Sequence, residues 1–256
     1  MILIDTPSAS ALLIRARHDN SELGTGTGFI VDSANGPLLI TNWHIVTGRH
    51  LETRKPCRAD AAIPNNLLVR HNRKTRLGAF CDRVEPLYDE GGNPVWFEHP
   101  HYRATVDVVA LPLTQLDDVE TYPLSYSGEV GDELPEPIRW GASDIVFVVG
   151  FPFGWTGSGD FAIWAQGAVA TEPGFDFRKL PCFLIDSRTR MGQSGSPVLI
   201  YRRGGNFVQL AGGEPYMLHN PRTKLLGVYS GRLSEDSDLG TVWKVSLIAT
   251  IAERGI

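Results

Sequence analysis

The sequence is poor in cysteine: Cys57, Cys81 and Cys182 are an odd number among 256 residues and lie far apart. Secreted β-rich domains usually pair their cysteines in disulfides, so this usage indicates a reducing compartment. The N-terminal stretch has no basic start followed by a long apolar core, and charged residues follow its short apolar segment at 11–14. We interpret that segment as a strand rather than a signal peptide, and we expect a cytoplasmic protein.

Long apolar runs and clustered basic residues are also missing. No apolar run approaches the roughly 20 residues that cross a bilayer, so we expect no contact with a membrane. The chain carries 24 Lys and Arg against 29 Asp and Glu, a net charge of −5. Binding to nucleic acid depends on a clustered basic face, so we expect no nucleic-acid partner. The densest basic stretch, at 71–76, is interpreted as a solvated loop.

Signals for metals and cofactors are weak. His99 and His101 would share one face of an extended chain, but no cysteine is near them in sequence to complete a zinc site. The glycine-rich stretches at 24–28 and 156–160 do not open helices, so a phosphate cradle is not indicated. We predict neither a metal nor a cofactor.

Short runs of β-branched and aromatic residues, separated by Gly, Pro and Asn, dominate the chain. Such runs predict an all-β sandwich or barrel. Apolar residues at helical spacing occur only near the C-terminus, at 245–255. A stretch rich in Pro, Gly and acidic residues, 121–141, is the predicted boundary between two β-units. The predicted strands are residues 11–17, 27–31, 37–42, 66–70, 106–113, 144–150, 161–170, 182–186, 197–201 and 224–230.

Three polar residues stand out against this apolar pattern. His44 follows the end of an apolar strand, a position that suits either a cleft or a hydrogen-bonded core histidine. Asp107 lies inside an apolar run, where a carboxylate is costly to bury unless it is paired or faces water at an edge. Ser194 lies in the stretch GQSGSP, which fits a plain loop or a nucleophile on a turn. A serine becomes a nucleophile only with a base and an orienting acid nearby.

His44, Asp107 and Ser194 occur in that order, 63 and 87 residues apart, in a chain that resembles the trypsin-like, chymotrypsin-fold serine peptidases. The stretches TGTGFIV, LLITNWHIV, VDVVALPL and GQSGSPVLI occur in family order between residue 11 and the C-terminus. The resemblance implies an all-β fold of two six-stranded antiparallel Greek-key β-barrels with a C-terminal α-helix. Residues 1–120 would form the barrel with His44 and Asp107, and residues 121–256 the barrel with Ser194, together one peptidase unit.

The resemblance also implies a role for each site residue. Ser194 would attack the scissile carbonyl, His44 would accept its proton and later protonate the leaving amine, and Asp107 would orient the His44 ring. The amides of Gly192 and Ser194, with Gln193 between them, would form the oxyanion hole. Gly192 suits this role because it lacks a Cβ atom, so its N–H can closely approach a developing oxyanion.

Two interpretations of the implied P1 pocket stay open. No acidic residue occupies the pocket base, so cleavage after Lys or Arg lacks its counter-charge. In one interpretation the pocket arginines, with Thr189, favour an acidic P1 residue. In the other, which we favour, the arginines point to solvent and Tyr229 closes a small apolar pocket. The pocket residues are Arg188, Thr189, Arg190 and Met191 on one wall, and Tyr229, Ser230, Gly231 and Arg232 on the opposite edge.

Gln193 departs from the digestive branch of the family, where an aspartate precedes the serine and pairs with a new N-terminus freed by cleavage. The cysteines of that branch are also missing, and the stretches FLIDSRTRMGQSG and GQSGSPV are closer to the HtrA-like and glutamyl-endopeptidase branches. We therefore expect activity without cleavage of the N-terminus. No stretch as long as a PDZ domain follows the predicted helix, so we expect no attached peptide-binding domain.

The predicted function is a serine endopeptidase that hydrolyses peptide bonds through a Ser-His-Asp triad and an acyl-enzyme intermediate. Its partner would be a protein or peptide substrate, and a regulatory protein partner is a further option. Two alternatives stay open: a catalytically silent or partner-gated peptide-binding module on the same fold, and an acyl esterase that uses the same site.

Overall fold

The computed structural model describes residues 4–131, 133–234 and 236–254, which form two large antiparallel β-sheets with few helices. The strands of the first half are β1 (Ala11–His18), β2 (Ser21–Ser33), β3 (Gly36–Thr41), β4 (Asn66–Arg73), β5 (Phe80–Pro86), β6 (Phe97–Glu98), β7 (Val109–Pro112) and β8 (Val119–Glu120). Six of them pair in the order β5–β4–β1–β2–β3–β7, and the two-residue strands β6 and β8 pair with β7 and β4. No pairing among the described residues joins β5 to β7, so this sheet is open.

The second half contains a closed barrel. Its strands are β9 (Glu129–Val130), β10 (Ile145–Gly150), β11 (Ile163–Val169), β12 (Cys182–Ser187), β13 (Pro197–Arg202), β14 (Phe207–Gln209), β15 (Pro215–Met217), β16 (Arg222–Arg232) and β17 (Leu239–Lys244). Six strands pair in the order β13–β10–β11–β12–β17–β16, and β16 pairs again with β13 to close the ring. Strand β9 flanks β16, while β14 and β15 form a separate hairpin.

The helices are α1 (Thr6–Ser10), α2 (Trp43–Thr47) and α3 (Val245–Arg254). The predicted all-β fold class is therefore confirmed, and α3 is the predicted C-terminal helix; Gly255, the last residue of that prediction, lies outside the described residues. None of the helices in the described part of the chain has the length and apolar character needed to cross a membrane.

The apolar neighbours of Asp107 predict that it lies inside a strand. In the structure it lies two residues before β7. A 3₁₀ turn at Arg103–Thr105 comes shortly before it. The side-chain amide of Asn42 donates to the Asp107 carbonyl oxygen over 2.6 Å, so this carbonyl is satisfied by a side chain instead of a neighbouring strand. The prediction of a strand at Asp107 was wrong, because the strand begins only at Val109 and the Asp107 carbonyl before it bonds the Asn42 side chain.

One apolar core joins the two halves of the chain. Burying a large apolar side chain contributes about 1.5–3 kcal/mol, so the shared core holds both sheets and α3 together. The chain crosses from the first sheet to the second between β8 and β9, within the stretch 121–141. Core members from both halves and from α3 include Phe29, Ile40, Val108, Val149, Val228, Trp243, Leu247 and Ile248.

Candidate active site

His44 lies in α2, directly after β3, and Asp107 determines its position. The His44 backbone N–H donates to Asp107 Oδ1 over 2.9 Å, and His44 Nδ1 lies 2.6 Å from Asp107 Oδ2. The Asp107 side chain is 2% exposed, whereas the His44 side chain is 26% exposed. The ring is therefore held through Nδ1 by the buried carboxylate, and Nε2 is available to a second partner.

The His44–Asp107 pair shifts the pKa of both members. Burial lowers the pKa of His44, but the charge of Asp107 and its hydrogen bond outweigh burial, so this pKa is raised above its ordinary value. Burial raises the pKa of Asp107, but the His44 charge and hydrogen bonds from His44 and Ser230 outweigh it, so this pKa is lowered. Asp107 is thus ionised at neutral pH, and it favours the protonated form of His44.

Ser230 connects Ser194 to Asp107. The Ser230 hydroxyl donates to Asp107 Oδ2, and its backbone carbonyl accepts from Ser194 Oγ over 3.0 Å. Within the described ranges, no hydrogen bond joins the Ser194 hydroxyl to the His44 ring. The structure thus brings the three predicted residues to one site, with the Ser194 hydroxyl bonded to Ser230.

Ser194 lies on a turn that requires glycine at two positions. Gly192 and Gly195 have φ angles of +90° and +84°, a region that side chains disfavour. A Cβ atom at Gly192 would lie 2.4 Å from the Phe151 carbonyl oxygen, and one at Gly195 would lie 2.0 Å from the Thr27 carbonyl oxygen. Both distances are well inside van der Waals contact, so close approach of the neighbouring backbone excludes any side chain here.

Three contacts orient this turn. The Phe153 N–H donates to the Met191 carbonyl over 2.6 Å, and the Thr27 N–H donates to the Ser194 carbonyl over 2.8 Å. The Thr27 hydroxyl donates to the Gly192 carbonyl over 2.8 Å. The N–H groups of Gly192 and Ser194 have no acceptor in the part of the chain that the structure describes. Two N–H groups without a protein acceptor beside a serine hydroxyl are what an oxyanion hole requires.

Gln193 closes the same turn from inside. Gln193 is 1% exposed, and its side-chain Oε1 accepts from the Arg190 N–H over 2.7 Å. Its own N–H donates back to the Arg190 carbonyl over 3.2 Å. The Gln193 N–H is therefore used within the turn, and Gln193 supports the predicted oxyanion hole through its side chain.

Three buried polar residues that support the site were missed in the sequence. Thr41 Oγ1 donates to the Thr27 carbonyl over 2.8 Å, and Asn42 bonds the Asp107 carbonyl as described above. Thr27, Thr41 and Asn42 are all 0% exposed. The only signal in the sequence was a polar residue within or beside an apolar run. The partner of Thr27 lies 165 residues further along the chain, which no local pattern indicates.

The predicted pocket residues divide into a buried and an exposed set. Tyr229 and Thr189 are 1% and 0% exposed, and their hydroxyls share a hydrogen bond. Burial raises the pKa of Tyr229, so its hydroxyl stays protonated. A Cβ atom at Gly240 would lie 2.4 Å from the Tyr229 ring, so the absence of a side chain there makes room for the ring. Ser230 and Gly231 are half-buried, and the exposed residues are Arg188, Arg190, Met191 and Arg232.

His99 and His101, the pair weighed for zinc, do not converge on an open site. His99 is 4% exposed, and its Nδ1 accepts from the N–H groups of His101 and Tyr102 over 3.2 Å each. His99 therefore closes a backbone turn. No group of three or more His, Cys, Asp or Glu side chains in the described ranges has a geometry that would hold a metal ion.

Comparisons with known proteins agree with this geometry. A family model described as a trypsin-like peptidase domain matches residues 26–208, and a comparison with curated proteins found no match. A serine endoprotease from Yersinia pestis is 13% identical with a TM-score of 0.50, covering 100% of this chain and 68% of that one. The thermostable serine protease AL20 from an extremophilic microorganism is 11% identical with a TM-score of 0.51, covering 97% of each chain. At such identities these structures show the fold.

Proposed function

The chain belongs to the trypsin-like peptidase family, and on that premise we propose that His44, Asp107 and Ser194 are the catalytic triad of a serine endopeptidase. The observation that carries the proposal is the His44–Asp107 pair, with 2.6 Å between Nδ1 and Oδ2, beside a serine whose turn leaves two N–H groups open. The family acts on peptide bonds, so the substrate is a protein or peptide.

Asp107 would set the tautomer of His44. With a carboxylate oxygen as its neighbour, Nδ1 carries the proton and Nε2 carries the lone pair that a general base needs. The second carboxylate oxygen accepts from the His44 backbone N–H. This hydrogen bond keeps the Asp107 carboxylate from rotating and so keeps the His44 ring in place. The raised pKa of His44 makes it a stronger base toward the Ser194 proton.

The reaction would form and break one acyl bond at Ser194. Ser194 Oγ attacks the scissile carbonyl carbon while its proton passes to His44 Nε2. The carbonyl oxygen becomes an anion next to the N–H groups of Gly192 and Ser194, and losing one such donor typically costs about 10²–10³ in rate. His44 then gives the proton to the leaving amine as the C–N bond breaks, and a water hydrolyses the acyl-enzyme by the same route in reverse.

This sequence of steps requires the Ser194 hydroxyl to leave the Ser230 carbonyl. Rotation about χ1 of Ser194 exchanges one staggered position for another, and such rotations are rapid for a serine side chain. Catalytic hydrogen bonds in unliganded enzymes are often formed only in the substrate complex. We therefore propose that substrate binding draws Ser194 Oγ toward His44.

We propose further that activity needs no cleavage of the N-terminus. Gln193 and Arg190 close the oxyanion turn through a reciprocal pair of hydrogen bonds within their own segment. A charged N-terminus is not needed to hold this turn. Intact-mass measurement of protein labelled at Ser194 with a fluorophosphonate probe is expected to give the mass of the uncleaved chain plus one probe molecule. An active fraction that has always lost its first residues would contradict this.

For the P1 residue we propose a small or apolar side chain. Tyr229 and Thr189 are buried and their hydroxyls share a hydrogen bond, while the three arginines of the predicted pocket walls are exposed. This arrangement supports closure of the pocket by Tyr229 over selection of an acidic P1 residue by arginine.

We also propose that the protein works in the cytoplasm as two β-units of one peptidase, divided after residue 120. Cys57, Cys81 and Cys182 are all free thiols in the structure, which supports a reducing compartment. Fractionation of cells that express the protein, with thiol counting on the purified chain, tests the location. The division is tested by limited proteolysis, with cleavage expected in the connection between β8 and β9.

A fluorophosphonate probe tests the catalytic proposal. Labelling of the wild type that is lost in Ser194→Ala is expected, whereas a catalytically silent binding module would not be labelled. Cleavage of a peptide library by the same protein separates a peptidase from an acyl esterase. Full turnover by the purified chain with no additive would rule out obligatory gating by a partner.

A further inference from the structure

A cavity of about 800 Å³ lies between the two halves of the chain, beside the candidate triad. Residues 50–56 line it from the first half, and Phe177, Arg178, Leu180 and residues 230–233 line it from the second. Ser230, which bonds both Asp107 and Ser194, is one of the lining residues, so the cavity is continuous with the site. Residues 229–232 also form one edge of the proposed P1 pocket. A peptide with its P1 side chain there would have residues next to P1 inside the cavity.

The cavity is basic although the protein is acidic. Among the described residues that line it, four carry a cationic side chain and one, Glu52, carries a carboxylate. The whole chain has the opposite balance, with 24 Lys and Arg against 29 Asp and Glu. Charges of one sign around a concave surface focus their field into it and attract ligands of the other sign. The cationic residues are Arg54, Lys55, Arg178 and Arg232.

Two of these cations are available to a ligand. Lys55 and Arg178 are exposed, and neither forms an ion pair within the described part of the chain. The Arg178 guanidinium lies 5.2 Å from the ring centroid of its neighbour Phe177, a contact that leaves its N–H groups able to donate. Arg54 is partly used, because its Nη2 donates to the Ala104 carbonyl over 2.6 Å and its guanidinium lies 4.7 Å from the Trp43 ring centroid. Lys55 comes from the first half of the chain and Arg178 from the second, so the two cations face the cavity from opposite halves.

The remaining lining includes apolar side chains. Leu51, Phe177 and Leu180 are half-buried, and Leu233 is 37% exposed. An extended peptide presents successive side chains to opposite sides. A single bound strand can therefore place one side chain against the apolar lining and its neighbours next to the cations.

We propose that this cavity binds the substrate residues P2–P4 and selects peptides that carry acidic side chains there, together with one large apolar side chain. The inference rests on the proposed peptidase function and adds the class of substrate. The cavity lies next to the proposed P1 pocket and shares Ser230, Gly231 and Arg232 with it. Each exposed charge pair between peptide and protein is expected to change turnover by about two- to fivefold.

A fluorogenic peptide library tests the inference. Its members carry every amino acid at P1, with Asp, Asn or Lys fixed at two of the positions P2–P4 and Leu or Ser at the third. We expect the wild type to turn over the Asp members at least about fivefold faster than the Lys members at low salt, from the size of exposed charge pairs. The Leu members should exceed the Ser members. The Asp advantage should shrink between 0.1 and 1 M salt, as the screening length falls from about 10 to 3 Å.

The double variant Lys55→Glu/Arg178→Glu should reverse the preference between the Asp and Lys members. Lys74→Glu/Arg76→Glu is the matched control, because it makes the same change in net charge at exposed residues outside the cavity and should keep the wild-type preference. Equal turnover of Asp and Lys members by the wild type would overturn the inference, as would a preference that survives in the first variant. If the wild type is not labelled by fluorophosphonate, the proposed function fails and the inference fails with it; labelling without the Asp preference overturns the inference alone.

Discussion

The nucleophile turn and the rim of the neighbouring cavity lie side by side but are built in opposite ways. At the turn, Gln193 and the neighbouring Thr27 of β2 are buried, and Gln193 Oε1 and the Thr27 hydroxyl contact backbone groups at short, defined distances. At the rim, Lys55 and Arg178 are exposed on loops. A buried polar group that loses its partner costs far more free energy than an exposed charge that loses its ion pair. Changes in the turn are therefore expected to affect the chemistry strongly, and changes at the rim to affect only the choice of substrate.

The largest effect is expected for Asp107→Asn. An amide N–H at this position cannot accept from His44 Nδ1, so the ring would adopt the wrong tautomer and kcat should fall by about 10⁴. Steady-state kinetics on a cleaved peptide measures the change. Asp32→Asn is a matched control, because this carboxylate is exposed, and its activity should stay near the wild-type level. A loss of less than tenfold in Asp107→Asn would contradict the proposed triad.

Gly192→Ala should come next. The added Cβ atom would lie 2.4 Å from the Phe151 carbonyl oxygen at a φ of +90°, so the turn must move and its N–H groups with it. Loss of one oxyanion donor corresponds to a fall in kcat of about 10²–10³. Gly24→Ala is the control in β2, since a Cβ atom there meets nothing within 4 Å. Equal activity of the two variants would show that the Gly192 N–H does not serve the oxyanion.

The dependence on pH distinguishes the buried pair from an isolated histidine. His44 must be neutral to accept the Ser194 proton, and its pKa is raised by Asp107, so activity is lost as the pH falls through this raised value. The acid limb of kcat/KM should therefore lie above about 6.5, the ordinary pKa of histidine, and activity should fall about tenfold per pH unit below it. In Asp107→Asn the burial remains while the attraction is gone, which should move the limb to lower pH. A wild-type limb below 6.5 would contradict the assigned base.

The smallest effect within the turn is expected for Thr27→Val. The change removes the hydroxyl that donates to the Gly192 carbonyl and accepts from the Phe151 N–H, leaving two buried backbone groups without this partner. The free energy of unfolding should fall by about 1–3 kcal/mol, and kcat by about tenfold as the turn loosens, a change of ~1.4 kcal/mol in the barrier. Thr25→Val, two residues earlier in β2 and half-buried, serves as the control in denaturant titration and kinetics. Identical kcat values for both variants would confine the role of Thr27 to stability.

The fold was predictable from sequence because its signals are local. The runs at 11–17, 66–70 and 182–186 each lie within an observed strand, and the helical spacing at 245–255 corresponds to α3. Side-chain alternation and turn residues act over a few positions, so they can be seen without the tertiary structure. Asp107 shows where this reasoning fails. An apolar run predicts a strand even where a distant side chain, here Asn42, forms a hydrogen bond with one of its carbonyl groups.

The amino-acid sequence by itself determined the fold class, the order of His44, Asp107 and Ser194, and the value of a glycine at position 192, because each depends on residue type and spacing. Only the tertiary structure decided which groups contact the site. Thr27 contacts the turn 165 residues further along the chain, and Ser230 bonds both Ser194 and Asp107. Basic residues from both halves line one cavity. These contacts join segments that are far apart along the chain. Their partners depend on how the two sheets pack, and packing is a property of the whole chain rather than of any stretch within it.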